Sequence, residues 1–231
     1  DLLWSEDFYV EFLDPADVKD GCIPDHVKVI ILPYQLVIGP LLAASLEEFT
    51  REGGTLIGTA KCGMMNDRGW YNLRIPGAGL DEVFGVKEKN VTLCTDERVI
   101  YGTKSFPAYH QRSELEIYHD AETEIVATFD SDGLPAVTRH IYGLGEAWYI
   151  GTHPGMSWLH DGKFSSIREL LVHILSSSGV ERGAWLNQEK NSLAIMDLHV
   201  LQEQNERVYI VTNSSDSDLH GSIETIGVHK K

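Results

Sequence analysis

The stretch PAVTRHIYGLGEAWYIGT, residues 135–152, has the pattern of two short β-strands that are joined by a tight turn. Apolar and β-branched residues dominate both halves, and Gly143 and Gly145 lie between them. Glycine readily adopts the positive φ that a hairpin turn needs. The stretch contains no metal-ligand spacing and no pair of carboxylates. We therefore expect Arg139 and Glu146 to be surface or interface charges.

A crossover pattern precedes the hairpin. The runs 27–32 and 55–59 are β-branched and almost wholly apolar, as in strands that are covered on both faces. Between them, residues 41–52 carry apolar side chains at helical spacing. A strand–helix–strand unit of this length joins parallel strands, so the predicted fold class is α/β with a mostly parallel sheet.

The last quarter of the chain has a different pattern. A second amphipathic helix is predicted over 165–175, and the serine-rich segment 176–179 after it has the composition of a domain boundary. Short strands follow, predicted over 193–196, 199–202, 207–212 and 220–225 and separated by polar turns. We therefore expect two domains, 1–180 and 181–231, of which the second is a small all-β unit. A further short strand is predicted over 9–13.

The composition limits the classes of partner. The chain has 231 residues, 42% of them hydrophobic, which is enough for one large domain or two modest ones. It carries 19 Lys and Arg against 35 Asp and Glu, a formal net charge of −16. Nucleic acids and anionic membrane surfaces both select a cationic face, so neither is an expected partner. No apolar run approaches the ~20 residues of a membrane-spanning helix.

The three cysteines, Cys22, Cys62 and Cys94, are far apart in the sequence and odd in number. This arrangement favours free thiols over a disulfide framework. Free thiols persist in reducing compartments, so we expect a cytoplasmic protein. The sequence has no CxxC pair, no HExxH motif and no glycine-rich phosphate loop, so we expect neither a metal site nor a cofactor.

One arrangement would support catalysis, a thiol nucleophile with an imidazole base. Cys62 follows the strand predicted over 55–59, and His153 follows the strand predicted over 148–151. This order resembles that of glutamine amidotransferases. However, a loop rather than a helix follows Cys62, so no helix dipole lowers the pKa of the thiol, and Gly155 occupies the place of a third catalytic residue. We expect no catalytic residue, with Cys62 and His153 as the enzymatic alternative.

Aromatic residues supply candidates for a contact surface. Trp70 and Tyr71 lie in the glycine- and asparagine-rich segment 62–79, which is predicted to be a long loop, and Trp158 follows the hairpin. Trp and Tyr are enriched at protein interfaces, although they also pack within loops. Trp70, Tyr71 and Trp158 are therefore the interface candidates.

A third hypothesis is a carbohydrate-binding accessory module. Such a module needs two or three coplanar aromatic rings on one face of a sheet. Trp148 and Tyr149 are adjacent on a strand and point to opposite faces, so they cannot form such a platform.

Several segments, in order, resemble the trimerisation domain of bacterial β-galactosidases of glycoside hydrolase family 42. The hairpin is the most specific of them, since it resembles the family pattern PAVTRNxYGKGxAYYIGT. VKVIILPY resembles the family's KLVVVP strand, and LEEFTREGGTLI resembles its helix and GGTLV strand. The matching segments are 10–17, 27–34, 46–57, 79–86, 135–152 and 170–180, and the resemblance extends from about Tyr9 to Val180.

The resemblance implies a flavodoxin-like, class I glutamine amidotransferase-like domain, followed by the start of a small C-terminal β-sandwich. The family's catalytic TIM barrel, which hydrolyses terminal β-galactosides, would precede Asp1, and the first strand and most of the first helix of the domain would be missing. The resemblance therefore implies a non-catalytic assembly region of a β-galactosidase-like glycoside hydrolase. It also implies a homo-oligomer, by family a trimer, whose carbohydrate substrate binds to the absent barrel.

Overall fold

The structure is a computed structural model, and it describes residues 2–6, 8–119, 122–161, 166–181, 184–188, 196–203, 206–213 and 221–225. The helices are α1 (Leu2–Ser5), α2 (Pro15–Lys19), α3 (Pro40–Arg51), α4 (Leu80–Phe84), α5 (Pro154–Asp161) and α6 (Ile167–Ser177). The strands are β1 (Val29–Leu32), β2 (Thr55–Thr59), β3 (Val86–Cys94), β4 (Arg98–Tyr101), β5 (Lys104–Pro107), β6 (His110–Ile117), β7 (Thr123–Phe129), β8 (Pro135–Tyr142), β9 (Gly145–Ile150), β10 (Ala184–Gln188), β11 (Met196–Glu203), β12 (Glu206–Asn213) and β13 (Gly221–Thr225).

The predicted hairpin is β8 and β9, and it lies in the middle of a seven-stranded sheet. The strand order of this sheet is β1-β2-β9-β8-β7-β4-β5. The two hairpin strands pair antiparallel, from Val137 opposite Ile150 to Tyr142 opposite Gly145. The predicted crossover is also present, since β1, α3 and β2 follow one another and β1 pairs with β2 in parallel.

Parallel pairing is confined to one side of the sheet. β1 pairs with β2, and β2 with β9, in parallel. The remaining pairs, β9–β8, β8–β7, β7–β4 and β4–β5, are antiparallel. The α/β class is thus confirmed, while the sheet is mixed because a run of antiparallel hairpin pairings extends the parallel crossover.

Both faces of the central strands are covered, and every residue of β2 and β9 is buried. Tyr149 packs in the core cluster with Leu46 of α3 and Phe84 of α4. The neighbouring Trp148 points to the opposite face, where its ring centroid lies 6.2 Å from that of His173 on α6. Trp148 is 2% exposed and Tyr149 is 0% exposed, so neither ring is available to stack on a sugar.

The two glycines of the hairpin turn have different roles. Gly143 has a φ of 62°, as predicted. Gly145 is required for a close approach, because a Cβ at this position would lie 2.2 Å from the carbonyl oxygen of Gly54 and 2.3 Å from that of Thr50. The turn therefore fits against the end of α3 and the start of β2 only because residue 145 has no side chain.

The chain divides into two compact units, Leu13–Gly179 and a smaller one that consists of Asp1–Phe12 with Val180–Lys231. In the smaller unit, the described strands form two antiparallel pairs, β10 with β13 and β11 with β12. Of the predicted tail strands, residues 193–195 and 220 lie outside the described residues.

The prediction of a strand over residues 9–13 is wrong. Residues 8–14 contain neither helix nor strand. The side chain of Asp14 instead accepts a hydrogen bond from the backbone N–H of Ala16 at 2.8 Å and caps α2. Strand propensity is decided by the neighbours that a segment finds in the fold, which its own sequence does not contain.

Replacing Gly145 with Ala is expected to destabilise the larger unit by at least about 1–3 kcal/mol, because the new methyl group meets two backbone carbonyls. Urea unfolding followed by circular dichroism measures the change. Gly155→Ala is the matched control, since nothing lies within 4 Å of its added Cβ and the residue is in α5. The control variant is expected to be as stable as the parent or more so. Equal stabilities of the two variants would contradict the tight contact at Gly145.

Candidate functional site

The residues that follow the parallel strands meet at one edge of the sheet, as parallel pairing requires. Tyr34 follows β1, Cys62 follows β2, and His153 follows β9. The rings of Tyr34 and His153 contact each other edge-on, with centroids 4.6 Å apart. The structure therefore places the predicted nucleophile and base at the same sheet edge, which is called the carboxyl edge below.

Cys62 has the properties of a core residue. Its side chain is 0% exposed and belongs to the core cluster of the larger unit. Burial, and to a smaller extent the nearby carboxylate of Glu88, raises the pKa of the thiol far above its usual range. A reactive cysteine needs a depressed pKa and access to solvent, and Cys62 has neither.

His153 is held beside polar neighbours at this edge. Its Nε2 atom lies 3.3 Å from Oε1 of Gln111. Burial, and to a smaller extent electrostatic interactions with Lys61 and His110, lowers the pKa of His153 to about 4. The imidazole is therefore neutral near pH 7 and cannot stabilise a thiolate as an imidazolium ion. No hydrogen bond joins Cys62 to His153 in the part of the chain that the structure describes.

A carboxylate that the sequence analysis missed lies beneath this edge. Oε1 of Glu88 accepts hydrogen bonds from the hydroxyl group of Tyr149 and from the backbone N–H of Lys61, both at 2.7 Å. Burial is the largest influence on this group and raises the pKa of Glu88. Glu88 lies in the charged run VKEKN, which is typical of an exposed strand, so the sequence carries no signal for its burial.

A surface of exposed apolar side chains lies on the loops that leave β1 and β2. Trp70 is 71% exposed, Tyr71 is 72% exposed and Leu73 is fully exposed. Val37, at 42% exposure, belongs to the same surface, because Met65 forms backbone bridges to both Val37 and Tyr71. Val37, Trp70, Tyr71 and Leu73 are called the loop surface below.

Hydrogen bonds hold the backbone of the loop surface in place. The N–H of Met65 donates to the carbonyl of Leu36 at 2.9 Å, and the N–H of Ile38 donates to the carbonyl of Met65 at 3.0 Å. The side chain of Asn66 accepts a hydrogen bond from the N–H of Trp70 at 3.0 Å. The loop therefore presents its apolar side chains on a fixed backbone, which lowers the entropic cost of forming a contact.

The third interface candidate is placed elsewhere. Trp158 lies in α5 and is partly buried, while the neighbouring Leu159 is 69% exposed. The loop surface, rather than α5, therefore offers the more exposed aromatic side chains.

A family model described as the β-galactosidase trimerisation domain matches residues 18–181. The chain belongs to this family. The match includes the crossover, the loop surface, the hairpin and α6.

The chain is similar to parts of longer proteins that are described as β-galactosidases. It is 28% identical over 216 residues to β-galactosidase Pbg of Clostridium perfringens, which is 87% of this chain and 29% of that protein. It is 26% identical over 229 residues to β-galactosidase LacA of Lactobacillus acidophilus, which is 92% of this chain and 31% of that protein. The chain thus spans less than a third of the length of either relative.

Solved structures share the fold. The β-galactosidase from Bacillus circulans sp. alkalophilus matches with a TM-score of 0.68 and 19% identity, over 83% of this chain and 28% of that chain. The β-galactosidase from the haloarchaeon Halorubrum lacusprofundi matches with a TM-score of 0.68 and 15% identity, over 97% of this chain and 34% of that chain.

In the part of the chain that the structure describes, no helix is long and apolar enough to cross a membrane. The same residues contain no group of three His, Cys, Asp or Glu side chains that could hold a metal ion.

Alkylation with iodoacetamide near neutral pH is expected to label Cys22 in the folded protein and to leave Cys62 unlabelled. Cys22 is exposed, whereas Cys62 is buried and its thiol has a raised pKa. Peptide mapping by mass spectrometry identifies the labelled residues, and labelling in urea provides the control for full access. Preferential labelling of Cys62 in the folded protein would instead support the thiol–imidazole alternative.

Glu88→Gln is expected to raise the melting temperature more at pH 8 than at pH 4.5. Because burial raises the pKa of Glu88 in the folded state, its ionisation costs stability as pH rises above the unfolded value. Glutamine never ionises, so the difference in melting temperature between the variant and the parent grows with pH.

Glu116→Gln is the control with the opposite sign. The ammonium of Lys87, 2.8 Å away, lowers the pKa of Glu116, so this carboxylate adds stability above its unfolded pKa. The melting temperature of Glu116→Gln should therefore fall further below that of the parent as pH rises. A pH-independent effect of Glu88→Gln would contradict the burial of an ionisable carboxyl group at residue 88.

Proposed function

We propose that the chain is a non-catalytic assembly region of a β-galactosidase-like glycoside hydrolase and that it associates with copies of itself. Membership of the trimerisation domain family carries this proposal. The chain covers less than a third of its β-galactosidase relatives, which leaves room in a longer protein for a separate catalytic barrel. The parent enzyme would hydrolyse terminal β-galactosides in that barrel.

The loop surface is the proposed contact between copies. Trp70, Tyr71 and Leu73 expose apolar area on a hydrogen-bonded backbone, and buried aromatic side chains dominate the binding energy of interfaces. A trimer with three-fold symmetry uses a heterologous contact, in which the loop surface of one copy meets a different surface of the next. Leu159 of α5, which is 69% exposed, supplies apolar area for that second surface, and the partly buried Trp158 lies beside it.

The charge of the chain fits a contact of this kind. At a net charge of −16, identical copies repel one another at long range. Apolar burial at the loop surface must therefore outweigh the repulsion. Salt screens the repulsion, with a Debye length of about 8 Å at physiological ionic strength, so association should strengthen as salt is added.

We also propose the finer organisation that the family resemblance implies. The unit Leu13–Gly179 would have an amidotransferase-like, flavodoxin-like arrangement, and the strand-rich tail from about residue 181 would begin a small β-sandwich. The parallel crossover and the division into two units support this organisation. The exposed free thiol of Cys22 supports a cytoplasmic location, where thiols stay reduced.

Replacing both Trp70 and Tyr71 with Ser is expected to weaken self-association by about tenfold or more, because the variant removes two aromatic anchors. Sedimentation velocity over a range of protein concentrations measures the association. Both side chains are exposed, so the circular dichroism spectrum should not change.

Leu93→Ser is the matched control. Leu93 is 82% exposed on β3, outside the loop surface, and its replacement should leave association unchanged. A parent chain that stays monomeric at every concentration and salt level would overturn the assembly proposal. An oligomer that survives the double replacement would place the contact elsewhere.

A further inference from the structure

A cleft of about 710 Å³ opens on the larger unit between the sheet and α6. The turn between β4 and β5, strands β7, β8 and β9, and helix α6 form its walls. Its volume falls within the range of roughly 300–1,000 Å³ that is typical of small-molecule sites. The residues that line it belong neither to the loop surface nor to the carboxyl edge.

A buried carboxylate fixes an arginine in this cleft. Glu146 is only 9% exposed, and its Oε2 accepts a hydrogen bond from Nε of Arg139 at 2.6 Å. Its other oxygen, Oε1, accepts a hydrogen bond from Nε1 of Trp148 at 3.0 Å. The guanidinium of Arg139 also lies 5.8 Å from the ring centroid of Trp148. The orientation of Arg139 toward the cleft is therefore set before any ligand arrives.

Two ion pairs line the cleft. Nη1 of Arg139 lies 3.5 Å from Oε2 of Glu124, which is a long contact across the β7–β8 pair. Lys104, in β5, pairs with Glu169 on α6 and links the two walls. With the buried Glu146, three carboxylates face the two cations, so the cleft has a small negative formal charge and repels an anion. A charged ligand would have to break an ion pair without replacing both partners.

Neutral hydroxyl groups fit such a lining better than charged groups do. Each hydroxyl both donates and accepts, so it can bond to a carboxylate and to a guanidinium or ammonium group at once. Hydrogen bonds to charged groups are stronger than those between neutral groups. The cleft offers both kinds of charged partner, together with the aromatic side chain of Tyr101 and the imidazole of His173.

We propose that this cleft binds a neutral polyhydroxylated ligand of the size of a mono- or disaccharide, through Lys104, Glu124, Arg139 and Glu169. Recognition rests on hydrogen bonds to charged side chains, and the buried Trp148 does not stack on the ligand. Glu146 is a positioning residue, which acts through Arg139. The site is separate from the proposed contact between copies, so either proposal can fail without the other.

The test follows the indole N–H of Trp148 in ¹H–¹⁵N NMR spectra of the whole chain while lactose or maltose is added. Trp148 and Arg139 share the carboxylate of Glu146, so ligand contact with Arg139 should shift this signal. We expect a saturable shift with a Kd on the order of 1 mM or tighter. Arg139→Gln should weaken binding by about tenfold or more, which corresponds to losing charge-assisted hydrogen bonds.

Arg51→Gln is the matched control. Arg51 also pairs with two carboxylates, Glu47 and Glu48, and lies 5.8 Å from an aromatic ring, but it is on α3 and outside the cleft. This variant should bind the sugars as the parent does. If Arg139→Gln does not fold, the exposed pair is tested through Lys104→Gln and Glu169→Gln, each of which should also weaken binding.

Three results would overturn the proposal. The first is the absence of a saturable shift with either sugar. The second is a saturable shift with inorganic phosphate that exceeds the shift with the sugars, which would assign the cleft to anions. The third is an equal loss of binding in Arg51→Gln and Arg139→Gln, which would show that the effect does not arise in the cleft.

Discussion

The structure depends on one close backbone approach, the seating of the hairpin turn on the end of α3. The N–H of Leu144 donates to the carbonyl of Arg51 at 2.9 Å, and the N–H of Glu146 donates to that of Gly54 at 3.3 Å. Gly145 allows this approach because a side chain there would overlap the carbonyls. The contact joins the hairpin to the strand–helix–strand crossover, and it places β9 beside β2 in parallel.

The position of β9 then determines where each functional feature lies. Its carboxyl end places His153 beside Tyr34, at the edge where the loops of β1 and β2 also emerge. Its two faces place Tyr149 against α3 and α4 and Trp148 against α6. The loop surface lies on loops that leave β1 and β2, whereas the cleft opens on the face that carries Trp148. One sheet thus supports two separate surfaces.

Buried carboxylates are a second common element of both regions. Glu88 fixes Tyr149 and the backbone of Lys61 beneath the carboxyl edge, and Glu146 fixes Arg139 and Trp148 beneath the cleft. Glu146 was predicted to be a surface or interface charge, which is wrong because the residue is only 9% exposed and its carboxylate bonds to Arg139 and Trp148. A carboxylate that is buried with partners orients them strongly, since leaving it unpaired is costly.

The sequence by itself determined the crossover, the hairpin, the second helix and the family. Apolar periodicity and glycine positions are local properties that can be read directly from the sequence. It also identified Trp70 and Tyr71 as interface candidates, although only the structure shows that both side chains are exposed. Only the tertiary structure decided that the sheet is mixed and that no strand forms at residues 9–13. Only the tertiary structure also shows that Cys62 and Glu88 have raised pKa values, because burial and pKa depend on neighbours that are distant in the chain.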